Sequence, residues 1–133
     1  MSRILGIDYG TKKIGFAVSD EEQKIAFPKD VQQNMFELVV DYIRALILKE
    51  DIAEIVIGLP RNFDGSDNEL TKEVRAFAEH LKEYFKMTIH FEDESFTSKA
   101  VQSSGGAPYR KTDASAAALI LQSFLDRRNR KER

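Results

Sequence analysis

Short apolar runs rich in β-branched residues dominate the first thirty positions of the chain. Residues 3–8 and 14–19 flank a glycine-containing turn at 9–13, and this spacing predicts a β-hairpin. A third short run, 24–28, is predicted to end at Pro28, because proline lacks the amide proton that a strand ladder needs. The chain is therefore predicted to begin with three consecutive strands.

Helical periodicity begins after these strands and then alternates with two further apolar runs. Asn34 with Glu37 predicts a capping box at the first helix, and Ser66 with Glu69 predicts another at the second. The predicted elements are helix 34–49, strand 54–60, helix 66–85, strand 87–93 and helix 112–128, the last capped by Thr112 or Asp113. The order βββαβαβα predicts a mixed sheet, in which parallel strands follow an antiparallel hairpin.

Composition limits the class of protein. The 133 residues suffice for one domain with a core, and the absence of cysteine excludes disulfides and thiolate metal sites. No apolar run approaches the ~20 residues of a membrane span, and the N-terminus has no signal-peptide pattern. We expect a soluble cytoplasmic protein that does not associate with membranes.

Charge is distributed unevenly along the chain. The net charge is −2, but the segment 126–133 holds five basic residues against two acids. Such a tail can bind phosphate backbones, and it can equally be a solvated or disordered helix end.

Three acidic positions stand at predicted element ends. Asp8 lies near the end of the first strand, Glu94 follows the last strand, and Asp113 begins the last helix. If the first and last strands are parallel and close together, these carboxylates converge at one sheet edge and suit a pair of Mg²⁺ or Mn²⁺ ions. Such a pair can activate water for phosphodiester hydrolysis. Taken singly, each acid is also typical of a turn or a helix cap.

A rival hypothesis rests on the glycines around Asp8. The segment GIDYGTKKIG is similar to the first phosphate loop of the sugar kinase, Hsp70 and actin superfamily. Those proteins close two such domains around ATP. This chain has room for one domain and contains no second loop of that kind, so the sequence disfavours an ATPase.

Four segments together resemble the YqgF family of pre-16S rRNA nucleases, which are also described as Holliday-junction-resolvase-like proteins. The segments are GIDYGTKKIGFAVSD, IVIGLPRNFDGS, FEDESFTS and KTDASAAALILQSFLD. The resemblance implies one RNase H-like α/β domain over 1–133, with a mixed five-stranded sheet and helices on both faces. It also implies that Asp8, Glu94 and Asp113 are the catalytic, metal-binding acids.

Two features depart from the family pattern. Ser95 stands where the family usually has arginine, so a cation expected beside the site is missing. The loop at 102–109 is also shorter than is common in the family. Both departures border the predicted site and are expected to affect substrate binding.

Basic and polar residues flank the predicted acids. They are expected to bind nucleic-acid phosphates that the carboxylates alone would repel: Lys12, Lys13, Arg61, Asn62, Arg110 and Lys111. For Asn62 a role confined to the turn is an equal alternative. His80 and His90 are predicted to be structural or surface residues.

The predicted function is that of a metal-dependent endonuclease, and the resemblance implies 5′-end processing of precursor 16S rRNA. The alternatives are a Holliday junction resolvase and a non-catalytic nucleic-acid-binding module. The modest charge favours structured RNA over branched DNA as the partner, because a four-way junction presents many phosphates. We expect a monomer or weak homodimer, since no apolar stripe is left over for a large interface.

Overall fold

The computed structural model describes residues 2–93 and 113–131, with only the backbone of Asp113. Its elements follow the predicted order. They are β1 (Arg3–Tyr9), β2 (Lys13–Ser19), β3 (Ala26–Gln33), α1 (Phe36–Glu50), β4 (Ile52–Leu59), α2 (Glu69–Phe85), β5 (Thr88–Asp93) and α3 (Asp113–Lys131). No helix in the described part of the chain combines the length and apolarity that crossing a membrane requires.

The five strands form one mixed sheet in the order β3-β2-β1-β4-β5. β2 is antiparallel to both of its neighbours, whereas β4 is parallel to both β1 and β5. The predicted mixed sheet is therefore confirmed. The first and last strands are parallel to each other and are separated by β4 alone.

Helices cover both faces of the sheet, as predicted. On one face, α1 and α2 bury apolar residues such as Ile43 and Val74 against Ile7 of β1. On the other face, α3 packs Leu121 and other apolar side chains against Ile4. The alternation of side chains along each strand explains how one strand serves two cores.

The third strand is longer than predicted and continues through Pro28 to Gln33. Pro28 is tolerated because β3 is an edge strand, so a missing amide proton on the solvent side costs no ladder hydrogen bond. The β2–β3 register also shifts between Phe16 and Ala17, which marks a bulge beside the proline.

Both predicted capping boxes are wrong in detail. α1 has Met35 at its N-cap without a side-chain cap, and the Asn34 amide donates instead to the Gly10 carbonyl at 2.9 Å. α2 is capped by Asn68, whose side chain accepts from the Thr71 amide at 2.9 Å. In each case a tertiary contact or a competing cap one or two residues away displaces the pattern predicted locally.

Candidate active site

The carboxyl ends of three strands meet at one edge of the sheet. β1, β4 and β5 are parallel, and Ile7 of β1 pairs with Ile57 of β4, which in turn pairs with Phe91 of β5. An open α/β sheet characteristically places its site outside these ends. We call this the carboxyl edge, and it carries the last residues of each strand, the β1–β2 turn and the loop 60–67.

Asp8 lies on the carboxyl edge and faces α3. Gly6, two residues earlier on the same side of β1, lies beneath α3, where an added Cβ would be 2.7 Å from Leu121 Cβ and 3.1 Å from the Ala117 carbonyl oxygen. This close approach of the α3 backbone explains why a glycine stands at this position of the strand. Asp113 precedes Ala117 by about one helical turn, so this approach brings the start of α3 toward Asp8.

The β1–β2 turn is held tightly beside Asp8. A Cβ on Gly10 would be 2.4 Å from the Lys13 carbonyl oxygen, so the turn requires glycine there. The Asn34 backbone amide donates to the Lys12 carbonyl at 2.9 Å, in addition to its side-chain bond to Gly10. Lys12 and Lys13 are exposed on this braced turn and can reach a bound polyanion.

The loop 60–67 follows β4 and is held by hydrogen bonds among its own residues and to Asn68. The Asn62 side chain donates to Ser66 Oγ at 3.0 Å and accepts from Nδ2 of the Asn68 side chain at 3.2 Å. The Gly65 amide closes the turn onto the Asn62 carbonyl at 2.9 Å, with Gly65 at a φ of 86°. These contacts give Asn62 a part in the turn, and they fix the shape of the loop.

Thr71 of α2 holds the first residue of the same loop, Pro60. Its side chain is fully buried, and its hydroxyl donates to the Pro60 carbonyl and accepts from the Asn68 amide at 3.0 Å. Sequence reasoning missed Thr71 because Ser66 and Glu69 offered a more familiar capping pattern. The signal was present in the three-residue spacing of Asn68 and Thr71, which also fits a cap.

The loop that carries Arg61 also carries two acidic side chains, Asp64 and Asp67. A hydrogen bond from the Ser66 hydroxyl lowers the pKa of Asp64, and a hydrogen bond from Arg75 lowers the pKa of Asp67. The Arg61 side chain is half-buried, and its Nε has no hydrogen-bond partner among the described residues. The charge of Arg61 also contributes, after the hydrogen bond from Arg75, to the lowered pKa of Asp67.

Several predicted site residues lie outside the described residues: Glu94, Ser95, Arg110, Lys111 and the loop at 102–109. Within residues 2–93 and 113–131, no group of three or more histidine or acidic side chains is placed to hold a metal ion. The described part of the predicted site therefore consists of Asp8, the cations of the β1–β2 turn, and the loop carrying Arg61.

The two histidines contact side chains of other elements, and His90 does so away from the carboxyl edge. His90 Nε2 lies 2.7 Å from Glu54 Oε1, and Arg128 holds the same carboxylate with two bonds of 3.0 Å. The Arg128 bonds, aided by His90, lower the pKa of Glu54 to about 2. His80 packs edge-on against Phe36, so both histidines have contacts of the structural kind predicted.

Comparison with known proteins supports the nuclease hypothesis. Over 94% of this chain and 98% of its own length, a Maridesulfovibrio salexigens protein named "Putative pre-16S rRNA nuclease" is 36% identical. A protein of the same name from Sulfurihydrogenibium sp. is 40% identical, over 96% of this chain and 92% of its own length.

The fold also matches a solved resolvase. Thermus thermophilus RuvC in complex with a Holliday junction substrate superposes with a TM-score of 0.65, covering 97% of this chain and 96% of RuvC. At 14% identity this likeness shows a shared fold, and it confirms the predicted RNase H-like architecture. The family model described as "RuvX: Holliday junction resolvase" matches residues 2–127. The chain therefore belongs to the RuvX family, which is the YqgF family that the four sequence segments resemble.

Proposed function

We propose that this protein is a metal-dependent endonuclease that processes the 5′ end of precursor 16S rRNA in the cytoplasm. Nuclease activity is common to the names of the curated relatives and the description of the family. The observation that carries the proposal for this chain is the position of Asp8, at the carboxyl end of β1 and on the face covered by α3.

The remaining acids of the proposed site are Glu94 and Asp113. In the sequence, Glu94 directly follows Asp93, the last residue of β5. Asp113 is the first residue of α3. A donor set made only of carboxylate oxygens fits Mg²⁺ or Mn²⁺ and excludes softer metals that need thiolate ligands.

We propose that two metal ions bind here. They would activate the attacking water and stabilise the leaving oxygen of the phosphodiester. The protein's own residues bind and orient the substrate around that reaction. The substrate phosphates would be bound by Lys12 and Lys13 of the β1–β2 turn and by Arg61 of the loop 60–67. Arg110 and Lys111 are proposed to add to this basic surface. These cations offset the repulsion between substrate phosphates and the acids.

The substrate assignment rests on the names of the relatives and on charge. Relatives above 35% identity are named for precursor 16S rRNA, whereas the family model is described by Holliday junctions. A junction resolvase needs paired sites and a broad basic surface, and this chain has a net charge of −2. We therefore propose an RNA substrate and a monomer or weak homodimer, with junction cleavage as the second candidate.

Direct competition tests the substrate assignment. Purified protein with Mn²⁺ is given a precursor 16S rRNA 5′ leader and a four-way DNA junction at equal concentration. We expect cleavage of the leader at discrete positions and an intact junction. Paired symmetric nicks in the junction with an intact leader would reverse the assignment. Cleavage of neither substrate would leave the non-catalytic binding module as the better account.

A further inference from the structure

A carboxylate is buried between β5 and α3. Glu92 of β5 is only 5% exposed, and its Oε2 accepts a hydrogen bond from the Ser123 hydroxyl of α3 at 2.8 Å. Its Oε1 is also buried and forms an ion pair with Arg127, whose Nη2 lies 2.7 Å away. Arg127 is one helical turn further along α3 than Ser123, so two neighbouring side chains of the helix hold one side chain of the strand.

A buried ion pair contributes little net stability. Removing two charged groups from water costs about as much as their attraction returns, so apolar side chains of similar size often stabilise a fold equally well. Apolar packing is also non-directional, whereas Glu92 keeps both of its contacts only at one placement of α3. The contacts of Glu92 are therefore better suited to fixing the position of the helix than to increasing the stability of the fold.

Glu92 lies at the level of Asp8 in the sheet. It pairs with Gly58 of β4, which follows Ile57, the partner of Ile7 in β1. Asp8, Gly58 and Glu92 are thus neighbours in one row across three strands, with about 10 Å between the outer two Cα atoms. The row is on the side of the sheet that α3 covers, and its central glycine places no side chain between the two acids.

Polar side chains join β5 to α3. In the described part of the chain, the buried apolar residues that pack against α3 belong to β1, β2 and β4, and β5 contributes none of them. β5 contacts the helix through His90, whose ring lies beside Phe124, and through Glu92, two residues closer to the carboxyl edge. β5 precedes Glu94 in the sequence and α3 begins with Asp113. The Glu92 contact therefore joins the two elements that lead to the second and third acids of the proposed metal site.

We propose that Glu92 is a positioning residue, which holds β5 and α3 at the spacing that metal binding by Glu94 and Asp113 requires. The inference deepens the proposed nuclease function and rests on it. Glu92 does not itself coordinate the metal, because Ser123 and Arg127 engage both of its carboxylate oxygens. Loss of these contacts weakens metal binding while the chain stays folded.

Mn²⁺ binding to the RNA-free protein tests this inference, with the free ion measured by electron paramagnetic resonance. Glu92→Leu should weaken Mn²⁺ affinity by about tenfold, as is typical when a residue that orients a metal ligand is lost. The midpoint of urea denaturation should stay close to that of wild type, because leucine fills the site and the half-exposed Arg127 can turn to water. Glu92→Gln can still accept the Ser123 hydrogen bond and should retain most of the affinity.

Glu54→Leu is the matched control. Glu54 also accepts hydrogen bonds from an arginine of α3, Arg128. However, it pairs with Thr88 at the start of β5, and it lies four residues before Gly58, so it is about 13 Å from the row that contains Glu92. This variant should lower the denaturation midpoint and bind Mn²⁺ with the affinity of wild type.

Ser123→Ala removes the same hydrogen bond from the helix side and should also weaken Mn²⁺ binding, so the inference is tested even if Glu92→Leu fails to fold. Wild-type affinity in the Glu92 and Ser123 variants would overturn the positioning role and leave the nuclease proposal standing. Equal losses with Glu92→Leu and Glu54→Leu would also overturn it, since any loosening of α3 would then suffice. Equal losses with Glu92→Gln and Glu92→Leu would mean that the charge acts on the metal directly, which contradicts positioning. If wild type binds no Mn²⁺, both proposals fail.

Discussion

Gly6 of β1 and Leu121 of α3 lie so close that a Cβ atom on Gly6 would be 2.7 Å from the Cβ of Leu121. The backbone of α3 is also near, since the Ala117 carbonyl oxygen would be 3.1 Å away. This contact determines how closely the start of α3 can approach Asp8, so packing in the core and geometry at the site depend on the same glycine.

Gly6→Ala is therefore expected to destabilise the protein by about 1–3 kcal/mol, because the added methyl group must displace α3 from the sheet. Urea denaturation measures the change in the free energy of unfolding. Cleavage should fall more than stability alone explains, since Asp113 moves with the helix. A variant with an unchanged denaturation midpoint would show that α3 does not pack as described.

The cap of α2 gives a second prediction. Asn68→Ala should cost about 1 kcal/mol of folding stability, because it removes the acceptor for the Thr71 amide. Thr71→Val should cost about 1–3 kcal/mol, since it leaves the Pro60 carbonyl and the Asn68 amide without their buried partner. Thermal unfolding measures both variants. Ser66→Ala, which removes the cap predicted from the sequence, should cost less than either, and the reverse order would contradict this assignment.

Arg61 is expected to contribute one phosphate contact. For single-stranded RNA, Arg61→Ala should weaken binding and make the slope of log K against log salt shallower by about 0.7, the value for one released counterion. Lys49→Ala, which changes an exposed cation at the end of α1, should leave that slope unchanged. Equal slopes for wild type and Arg61→Ala would remove Arg61 from the proposed surface.

The ion pair between Glu54 and Arg128 predicts a dependence of stability on pH. The pKa of Glu54 is lowered to about 2 in the folded protein, chiefly by Arg128, so the carboxylate stabilises the fold above its usual pKa. That stabilisation, about 1–3 kcal/mol, should be lost as the pH falls from about 4.5 toward 2. Unfolding measured across this range should show a smaller loss for Glu54→Gln than for wild type. Identical pH profiles would contradict the pairing.

The order of the elements was predictable from the sequence because hydrophobic periodicity depends on local spacing. Gly6 was likewise recognisable as a point of close approach, since glycine inside a strand has few other uses. The strand neighbours of β1 were not predictable, because the position of β4 between β1 and β5 depends on how two crossover connections are arranged in space.

The contacts and exposure of individual residues could not be predicted from the sequence. Asn34 has the spacing of a helix cap, and only the folded chain shows that its side chain bonds to Gly10 across 24 residues. Proline is expected to end a strand because it has no amide proton, but β3 lies at the edge of the sheet, where proline is tolerated. The exposure of Phe63 also has no sequence signature, because the segment RNFDGSD fixes a turn without stating which side chain faces solvent.

The substitution Asp8→Asn tests whether this carboxylate is required for cleavage. The change keeps the size of the side chain and removes the charge that the proposed metal site requires, whereas Asp51→Asn at the opposite end of the sheet is the matched control. With Mn²⁺ and the precursor 16S rRNA leader, we predict cleavage by wild type and Asp51→Asn. For Asp8→Asn we predict binding of normal affinity and no detectable cleavage. Cleavage by Asp8→Asn at the wild-type rate would contradict the account.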